Sequence, residues 1–360
     1  MTWLAGMLKI ADAELATVNS VGQALVYEQA TKYLAWHNAE IEKQKRVFVK
    51  GQTDKYSIKY KLPGGGRLQR RGGQALSAAV KPSGGWDVGF PLEDFGAQYA
   101  MNDVTMAYMT IAQLQLAVEN IRLQDMNTVR YEVLRSLFNN VARTYNDDTI
   151  PDAPTVTVQP LANNDGVVYP PVLGSEIEAT ENHYQTSGYA ASSISDTNNP
   201  LPTARDELEE HFGTPTGYGN IVSFINSAQR AKIEALADFK AVEDIYIRSG
   251  QDVSVPVNLP NVPGRILGRA DGVWVVQWPF IPANYILSLD LGTDAPLLER
   301  RDSVASGLLP GLQLVTKDKD YPFESAHYRH RVGFGVGNRL NGFLLELTAD
   351  ATYDIPAEFA

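Results

Sequence analysis

The sequence contains no cysteine, which excludes disulfide bonds and thiolate metal sites. The stability of the protein must therefore come from non-covalent contacts or from a covalent bond that does not involve sulfur. A long hydrophobic run is also missing, because the most apolar window, Val273–Leu289, is broken by Gln277, two prolines and Asn284 and is too short to span a bilayer. The first twenty residues mix charged with apolar side chains, so no signal peptide is expected. These absences predict a soluble protein that is made in a cytoplasm.

A catalytic motif is missing as well. The run Gly333–Gly337 has neither the spacing nor the following helix of a dinucleotide fingerprint, and Gly64–Gly66 lacks the Gly-Lys-Ser/Thr ending of a phosphate loop. There is no Gly-x-Ser-x-Gly elbow, and a cysteine nucleophile is impossible. Glycines inside a strand more often allow a bulge or a close approach of two backbones. We therefore expect no enzyme activity and no cofactor.

One group of residues has the types, but not the expected geometry, of a metal site. Glu324, His327 and His330 form a Glu-x-x-His-x-x-His string, which on a helix would place ligands on one face. Here the string precedes an alternating strand, and a strand puts residues three apart on opposite faces. The histidines are therefore expected on a sheet that meets another subunit. A metal hydrolase that uses these three residues is the alternative, and metal analysis would test it.

Positive charge is concentrated in one segment of an otherwise acidic chain. Residues 41–81 contain eleven Lys or Arg and two acidic residues, whereas the whole chain of 360 residues has a formal net charge of −11 and a pI near 5.0. Phosphate binding needs positive surface, so the chain as a whole is not expected to coat nucleic acid. Opposite charges separated in this way predict a basic arm that lies on an acidic surface of an identical copy. A nucleic-acid-binding protein that acts through this segment is the alternative.

The basic segment has the pattern of a two-stranded hairpin. Val47–Tyr60 alternates as strands do, Pro63–Gly66 forms a turn, and the chain returns through Val80 toward Trp86. An isolated hairpin is marginal in water, so this one is expected to gain stability from a partner. The candidate contacts to a neighbouring copy are its cations: Lys50, Lys55, Lys59, Lys61, Arg67, Arg70 and Arg71.

Four acidic residues further along the chain fall within one predicted helix. The simplest interpretation is a solvated helix face, and docking of the basic arm is the alternative. The four residues are Asp206, Glu207, Glu209 and Glu210.

The remaining patterns predict a mixed α+β order without internal repeats. A helical segment, Leu8–Glu42, is interrupted near Gly22, and a helix of about 60 Å runs from about Asn102 to Tyr145 without Pro or Gly. Further helices are predicted at Thr203–Phe212, capped by Thr203, and at Ile221–Leu236. The predicted strands that follow are Val273–Val276, Tyr285–Asp290 and Leu312–Thr316, and then a closing pair, Arg329–Val336 and Leu340–Leu347.

This order of parts, together with several local stretches, resembles a known family. The stretches are Gly268–Val276, Phe280–Ile286, Leu289–Gly292, Glu299–Asp302 and the closing residues His330–Val336 through Leu344–Leu347. In that order they resemble a tailed-bacteriophage major capsid protein of the Hong Kong 97-type fold. The resemblance covers nearly the whole chain.

The resemblance implies an α+β, Hong Kong 97-like capsid fold with a defined division of the chain. Its parts would be an N-terminal arm (1–40), an extended loop formed by the basic hairpin (41–98), a spine helix with the first part of a peripheral domain (99–183), an apical domain (184–316) and the closing strands of the peripheral domain (317–360). Some relatives weld a lysine of the extended loop to an asparagine of a neighbour. Nothing in the spacing of Lys50, Lys55, Asn338 or Asn341 singles out such a pair, so that bond is not predicted.

The function implied by the resemblance is structural. The chain would assemble with itself into hexamers and pentamers of an icosahedral head that encloses double-stranded DNA without binding specific sequences. Too few residues precede the arm for a cleavable scaffolding segment, so a separate scaffold protein or prior cleavage is expected, together with a portal and a decoration protein. The expected location is the virion capsid, after assembly in the host bacterial cytoplasm. An encapsulin-like nanocompartment shell with the same fold is the nearest alternative.

Overall fold

A computed structural model describes ten ranges of the chain: residues 3–9, 14–62, 83–100, 103–162, 168–169, 179–180, 182–210, 220–241, 262–315 and 325–360. Its α-helices are α1 (Trp3–Leu8), α2 (Val18–Val21), α3 (Gln23–Lys45), α4 (Asp103–Tyr108), α5 (Ile111–Phe138), α6 (Pro200–Glu209) and α7 (Arg230–Glu234). Two 3₁₀ helices span Ala191–Ser193 and Val304–Ser306. Within these ranges, no helix has the length and apolar character needed to cross a membrane.

The strands up to the middle of the chain are β1 (Val49–Thr53), β2 (Ser57–Leu62), β3 (Ser83–Gly89), β4 (Glu93–Ala100), β5 (Arg143–Tyr145), β6 (Val156–Val158), β7 (Val168–Tyr169), β8 (Ala179–Thr180) and β9 (Tyr184–Thr186). The later strands are β10 (Ile221–Ile225), β11 (Lys240–Ala241), β12 (Arg265–Ala270), β13 (Val273–Gln277), β14 (Tyr285–Asp290), β15 (Leu297–Arg300), β16 (Gln313–Val315), β17 (Ser325–Val336) and β18 (Phe343–Glu346). They form a five-stranded sheet, a seven-stranded sheet and three two-stranded pairs.

The five-stranded sheet is organised by its longest strand, β17. Strand β4 pairs antiparallel with the first part of β17, from Ser325 opposite Ala100 to Val332 opposite Glu93. Strands β16 and β15 also pair antiparallel with β17, and β1 adds parallel to β15. Side chains of β17 alternate between buried and accessible up to Arg331, and the strand packs against helix α5. One sheet is therefore built from strands of the first third and the last fifth of the chain.

The seven-stranded sheet, in the order β11-β12-β13-β10-β14-β18-β9, has apolar cores on both faces. All five residues of its central strand β10 are buried. Val222 and Phe224 join the core shared with α5, while Ile221 and Ile225 join a second core with helices α6 and α7. A central strand covered on both faces needs a continuous apolar run rather than an alternating one.

That continuous run explains one wrong prediction. The segment Ile221–Leu236 was expected to be a helix, but its first five residues form strand β10, and only Arg230–Glu234 is helical. Periodicity does not distinguish a short buried strand from a helix. The preceding helix, predicted at Thr203–Phe212, is instead α6, which begins at Pro200 and is capped by Asn199.

The predicted long helix, Asn102–Tyr145, is also shorter than expected. Helix α4 ends at Tyr108, and α5 starts only after Thr110, whose backbone is extended (φ −84°, ψ 159°). The Thr110 hydroxyl accepts from the Gln113 N–H, and the Gln113 side chain accepts from the Thr110 N–H, which is a capping box. After Phe138 the chain becomes extended at Asn139 and continues into β5. Helix α5, called the rod below, therefore has 28 residues and is about 42 Å long.

Removing this cap should destabilise the rod measurably. Thr110→Ala takes away the acceptor for the Gln113 N–H, and we expect it to lower the free energy of unfolding by about 1 kcal/mol, as is usual for an N-cap threonine. Thr128→Ala is the matched control, because Thr128 lies within the same helix, is half-buried and donates to the Gln124 carbonyl inside the helix instead of capping its end. Urea unfolding of both variants measures the difference, and equal stabilities would contradict the capping role.

The closing strands require one more correction. Strands β17 and β18 correspond to the predicted segments Arg329–Val336 and Leu340–Leu347, but they do not pair with each other. β17 belongs to the five-stranded sheet, whereas β18 pairs with β14 and β9 in the seven-stranded sheet. The turn between them thus carries the chain from one sheet to the other.

The glycines of β17 allow the close backbone approach that the sequence suggested. A Cβ on Gly333 would lie 2.0 Å from the Pro91 carbonyl oxygen, and one on Gly335 would lie 2.6 Å from the Phe90 ring. Both distances are far below van der Waals contact. The segment that leads out of the hairpin therefore rests directly on the backbone of β17.

Candidate assembly surfaces

The base of the basic hairpin is fixed to its own subunit. Strands β2 and β3 pair antiparallel, so that Ile58 lies opposite Val88 and Tyr60 opposite Trp86. The Tyr60 and Trp86 rings are stacked with centroids 5.4 Å apart. Trp86 and Val88 are buried in a small core with Tyr169 and other apolar side chains, and burial raises the pKa of Tyr60. The predicted pairing holds for β2 and β3, but Val49–Thr53, predicted in the same arm, forms β1 and pairs with β15 instead. Part of the hairpin's support comes from within the chain.

The cations of the basic segment have different surroundings. Lys55, Lys59 and Lys61 are exposed, and Lys59 lies 3.7 Å from an equally exposed Asp87, a pair worth only about 0–1 kcal/mol. Lys50 is on strand β1 and forms an ion pair with Asp294 of the same chain. The three arginines of the predicted tip, Arg67, Arg70 and Arg71, lie outside the described residues.

The four acidic candidates lie on or next to helix α6. Asp206 is exposed and forms an ion pair with the adjacent Arg205 at 2.8 Å. Glu207 accepts a hydrogen bond from the Gln185 side chain of strand β9, so it contributes to contacts within the subunit. Glu209 and Glu210 are half-buried at the end of the helix. The solvated-face interpretation fits Asp206 best.

A buried carboxylate between two imidazoles joins three elements of the fold. Asp125 of α5 is 2.9 Å from Nε2 of His37 on α3 and 2.5 Å from Nδ1 of His330 on β17. All three residues are buried. Burial opposes ionisation of Asp125, but the hydrogen bonds from His330 and His37 outweigh it and hold the pKa of Asp125 below its usual range. The arrangement ties the N-terminal helix and the sheet to the rod.

A second contact between the same helices lies beside this cluster. The Tyr33 hydroxyl of α3 donates to Glu119 of α5 at 2.7 Å, and Glu119 also accepts two hydrogen bonds from Arg122. Burial, with the hydrogen bond to Glu119, raises the pKa of Tyr33 to about 12. Helix α3 is therefore held against α5 by polar contacts as well as by its apolar side chains.

The structure separates the residues of the string considered as a metal site. His327 is exposed and His330 is buried, so they occupy opposite faces of β17 as strand geometry requires, and Glu324 lies outside the described residues. In the described ranges no group of three His, Asp or Glu residues is arranged to hold a metal ion. His330 contacts Asp125 of its own chain, which corrects the expectation that it meets another subunit.

Sequence reasoning missed the partners of His330. His37 and Asp125 fall among buried apolar positions of α3 and α5, and a polar residue on an apolar helix face was the one available signal. A second missed group is the ion network of Lys45 with Glu42 at 2.5 Å and Glu299 at 2.7 Å. Glu299 is 254 residues from Lys45, so this pairing could not be found without the fold.

Two solved phage structures share this fold. No protein-family model matches the chain, and no curated protein is similar to it in sequence. A structure from Mycobacterium phage Patience superposes with a TM-score of 0.69 over 96 % of this chain and 94 % of its own, at 18 % identity. A structure of the mature capsid of bacteriophage PhiM1 superposes with a TM-score of 0.50 over 84 % of this chain and 86 % of its own, at 11 % identity.

These likenesses concern the fold. Nearly the full length of both chains is matched in the first comparison, so the architecture is shared as a whole and not in one domain. The chain has the α+β capsid fold that the resemblance implied, which confirms the predicted fold class.

Proposed function

We propose that this chain is the major capsid protein of a tailed bacteriophage, a structural subunit that assembles with itself into a shell. The observation that carries the proposal is the likeness to the structure from Mycobacterium phage Patience over 96 % of the chain, supported by the likeness to the PhiM1 mature capsid.

The finer parts of the proposal rest on the resemblance. The shell would be an icosahedral head of hexamers and pentamers around double-stranded DNA, built with a separate scaffold, a portal and a decoration protein. The division into arm, extended loop, spine, peripheral and apical domains belongs to the same proposal. An acidic chain suits the inside of a DNA-filled head, because like charges repel within about a Debye length, roughly 10 Å at 0.1 M salt.

Assembly of the purified chain is the direct test. We expect capsomers, tubes or closed shells in negative-stain images and in sedimentation. A species that stays monomeric at high concentration, with and without the other head proteins, would contradict the proposal. Particles that contain protein cargo instead of DNA in the native source would favour the nanocompartment alternative.

The basic hairpin is proposed to dock on an acidic surface of a neighbouring copy. Its fixed base and outward-facing lysines support this role, because the base orients the segment while Lys59 and Lys61 remain exposed. Single exposed pairs contribute only about 0–1 kcal/mol, so the effect must come from repetition over many identical contacts.

Charge reversal at the tip separates docking from DNA binding. Replacing Arg67, Arg70 and Arg71 with Glu should leave the unfolding midpoint of the subunit almost unchanged and strongly reduce the yield of particles formed without DNA. Three attractions become three repulsions at each contact. If the hairpin binds DNA instead, the yield of particles formed without DNA will equal that of the wild type. Only the retention of DNA will fall, and it will depend steeply on the salt concentration. A triple substitution to Gln is the control that removes charge without reversing it.

A further inference from the structure

A cleft between two helices and a turn of the sheet combines an apolar interior with a positive charge. It has a volume of about 170 Å³ and lies between α3, α5 and the turn that follows β13. Most of its lining is buried and apolar, including Ile41, Phe48, Val133 and Trp278. An apolar cavity of about 150 Å³ takes up benzene, so this cleft has room for one aromatic ring. We call it the α3–α5 cleft.

Three aromatic side chains line one part of the α3–α5 cleft. The Phe48 and Trp278 rings are stacked with centroids 5.4 Å apart, and the Trp278 and Phe280 rings meet edge to face at 5.9 Å. Phe48 and Trp278 are buried, whereas Phe280 is 45 % exposed and therefore lies at the opening. Aromatic rings pair favourably in offset and edge-to-face geometry, so this lining favours an aromatic ligand over an aliphatic one.

Arg130 of α5 places the positive charge at this opening. Its guanidinium lies over the Phe280 ring, 3.3 Å from the ring centroid. Stacking covers one face of the guanidinium, whereas its N–H groups point outward in the plane of the group. Those N–H groups can donate two parallel hydrogen bonds to a carboxylate, which is the geometry that arginine favours for such anions.

The charge of Arg130 is not compensated by an acidic neighbour. Within the described ranges, no carboxylate forms an ion pair with Arg130. Burial lowers the pKa of Arg130, and no acidic side chain opposes that shift. Lys45 also lines the cleft, but its ammonium group is paired with Glu42 and Glu299. One unpaired cation therefore lies beside an apolar space, in a chain that has more acidic than basic residues.

We propose that the α3–α5 cleft binds a small aromatic carboxylate, with its ring against Phe48 and Trp278 and its carboxylate on the guanidinium of Arg130. A neutral ligand would desolvate Arg130 further without pairing its charge, whereas a carboxylate supplies a charge-assisted hydrogen bond. A small anion without an apolar part would leave the interior of the cleft unfilled. The site is independent of the proposed shell function, because all of its residues belong to one chain.

Three probes, added to the full-length chain, test the ring and the charge separately. Phenylacetate has both, phenylacetamide has nearly the same shape without the charge, and acetate has the charge without the ring. In isothermal titration calorimetry, we expect phenylacetate to bind at least about tenfold more tightly than phenylacetamide, which is the difference that one hydrogen bond to a charged group supplies. Acetate should show no saturable binding.

Substitutions of Arg130 locate the binding in this cleft. Arg130→Met removes the guanidinium and keeps an unbranched apolar side chain, so phenylacetate and phenylacetamide should bind with equal affinity. Arg130→Lys keeps the charge but loses the planar pair of donors, so the preference for phenylacetate should become smaller. Arg135→Met is the matched control, because Arg135 is another half-buried arginine of α5 but is paired with Glu132 and lies outside the lining. Its preference for phenylacetate should equal that of the wild type.

Each outcome decides the proposal. A preference for phenylacetate in the wild type and in Arg135→Met that is lost in Arg130→Met supports it. The proposal is overturned if phenylacetate shows no saturable binding, if the wild type binds both aromatic probes equally, or if the preference persists in Arg130→Met. Binding of acetate as tight as that of phenylacetate also overturns it, because charge alone would then account for the binding. If Arg130→Met does not fold, as judged by its thermal unfolding, an unchanged preference in Arg130→Lys overturns the proposal and a reduced one supports it.

Discussion

Gly333→Ala is expected to prevent the five-stranded sheet from forming in its native geometry. The added methyl group would lie 2.0 Å from the Pro91 carbonyl oxygen, which is backbone and has no rotamer through which to move away. The neighbouring contact at Gly335 leaves little room for a shift, because Phe90 is buried there. We expect a loss of about 3 kcal/mol or more in the free energy of unfolding, at or above the usual cost of overpacking a core.

Gly51→Ala is the control for this prediction. Gly51 lies in β1 of the same sheet, and its added methyl group would meet only the Leu298 side chain at 3.9 Å, an ordinary contact. Denaturant unfolding of both variants measures the difference, with soluble yield as a second readout. If Gly333→Ala were as stable as Gly51→Ala, the close crossing of Pro91 over β17 would be wrong.

Asp125→Ala is expected to have the second large effect. It leaves the ring nitrogens of His37 and His330 that contact the carboxylate without that partner in a buried site and removes the connection among α3, α5 and β17. Breaking a buried polar cluster by removing one partner costs about 3–5 kcal/mol. Asp125→Asn is the matched variant, because its amide can accept from one imidazole and donate to the other in its alternative tautomer. It should lose much less stability, and equal losses would contradict the hydrogen-bond assignment.

The wild type and Asp125→Asn should also differ in how their stability depends on pH. The pKa of Asp125 is lower in the folded chain than its ordinary value of 3.8, so the folded state binds this proton more weakly than the unfolded state does. The stability that Asp125 contributes is therefore complete above pH 3.8 and is lost as the pH falls through the lowered pKa. The difference in the free energy of unfolding between the wild type and Asp125→Asn, measured with urea, should become smaller below that pH. A difference that stays constant or grows on acidification would contradict the shift.

Much of the fold could be predicted because its elements have local signals. Strand β14 coincides with the predicted Tyr285–Asp290, and the break near Gly22 appears where α2 meets α3, with Gly22 at φ +103°. The errors arose where tertiary structure overrides the local pattern. Thr110 interrupts a run without Pro or Gly, and β10 is a strand because apolar cores cover both of its faces.

The candidate surfaces could be predicted only in part. Charge counting located the basic hairpin, since eleven cations in one segment are visible without a structure. It did not show that Lys50 is paired with Asp294 or that Glu207 is bonded to Gln185, because those partners are distant in sequence. The assignment of the hairpin cations and of the α6 acids to subunit contacts stays a prediction.

The joining of early and late strands in one sheet has a consequence for the timing of synthesis. Strand β4 pairs with residues that the ribosome adds about 225 positions later, which at about 5–20 residues per second is a wait of roughly 10 to 45 seconds. Contacts of such long sequence separation also form slowly once both strands exist. The N-terminal helices and the hairpin must therefore remain without their native sheet until translation is nearly complete. Any surface of the chain that depends on this sheet is therefore complete only near the end of synthesis.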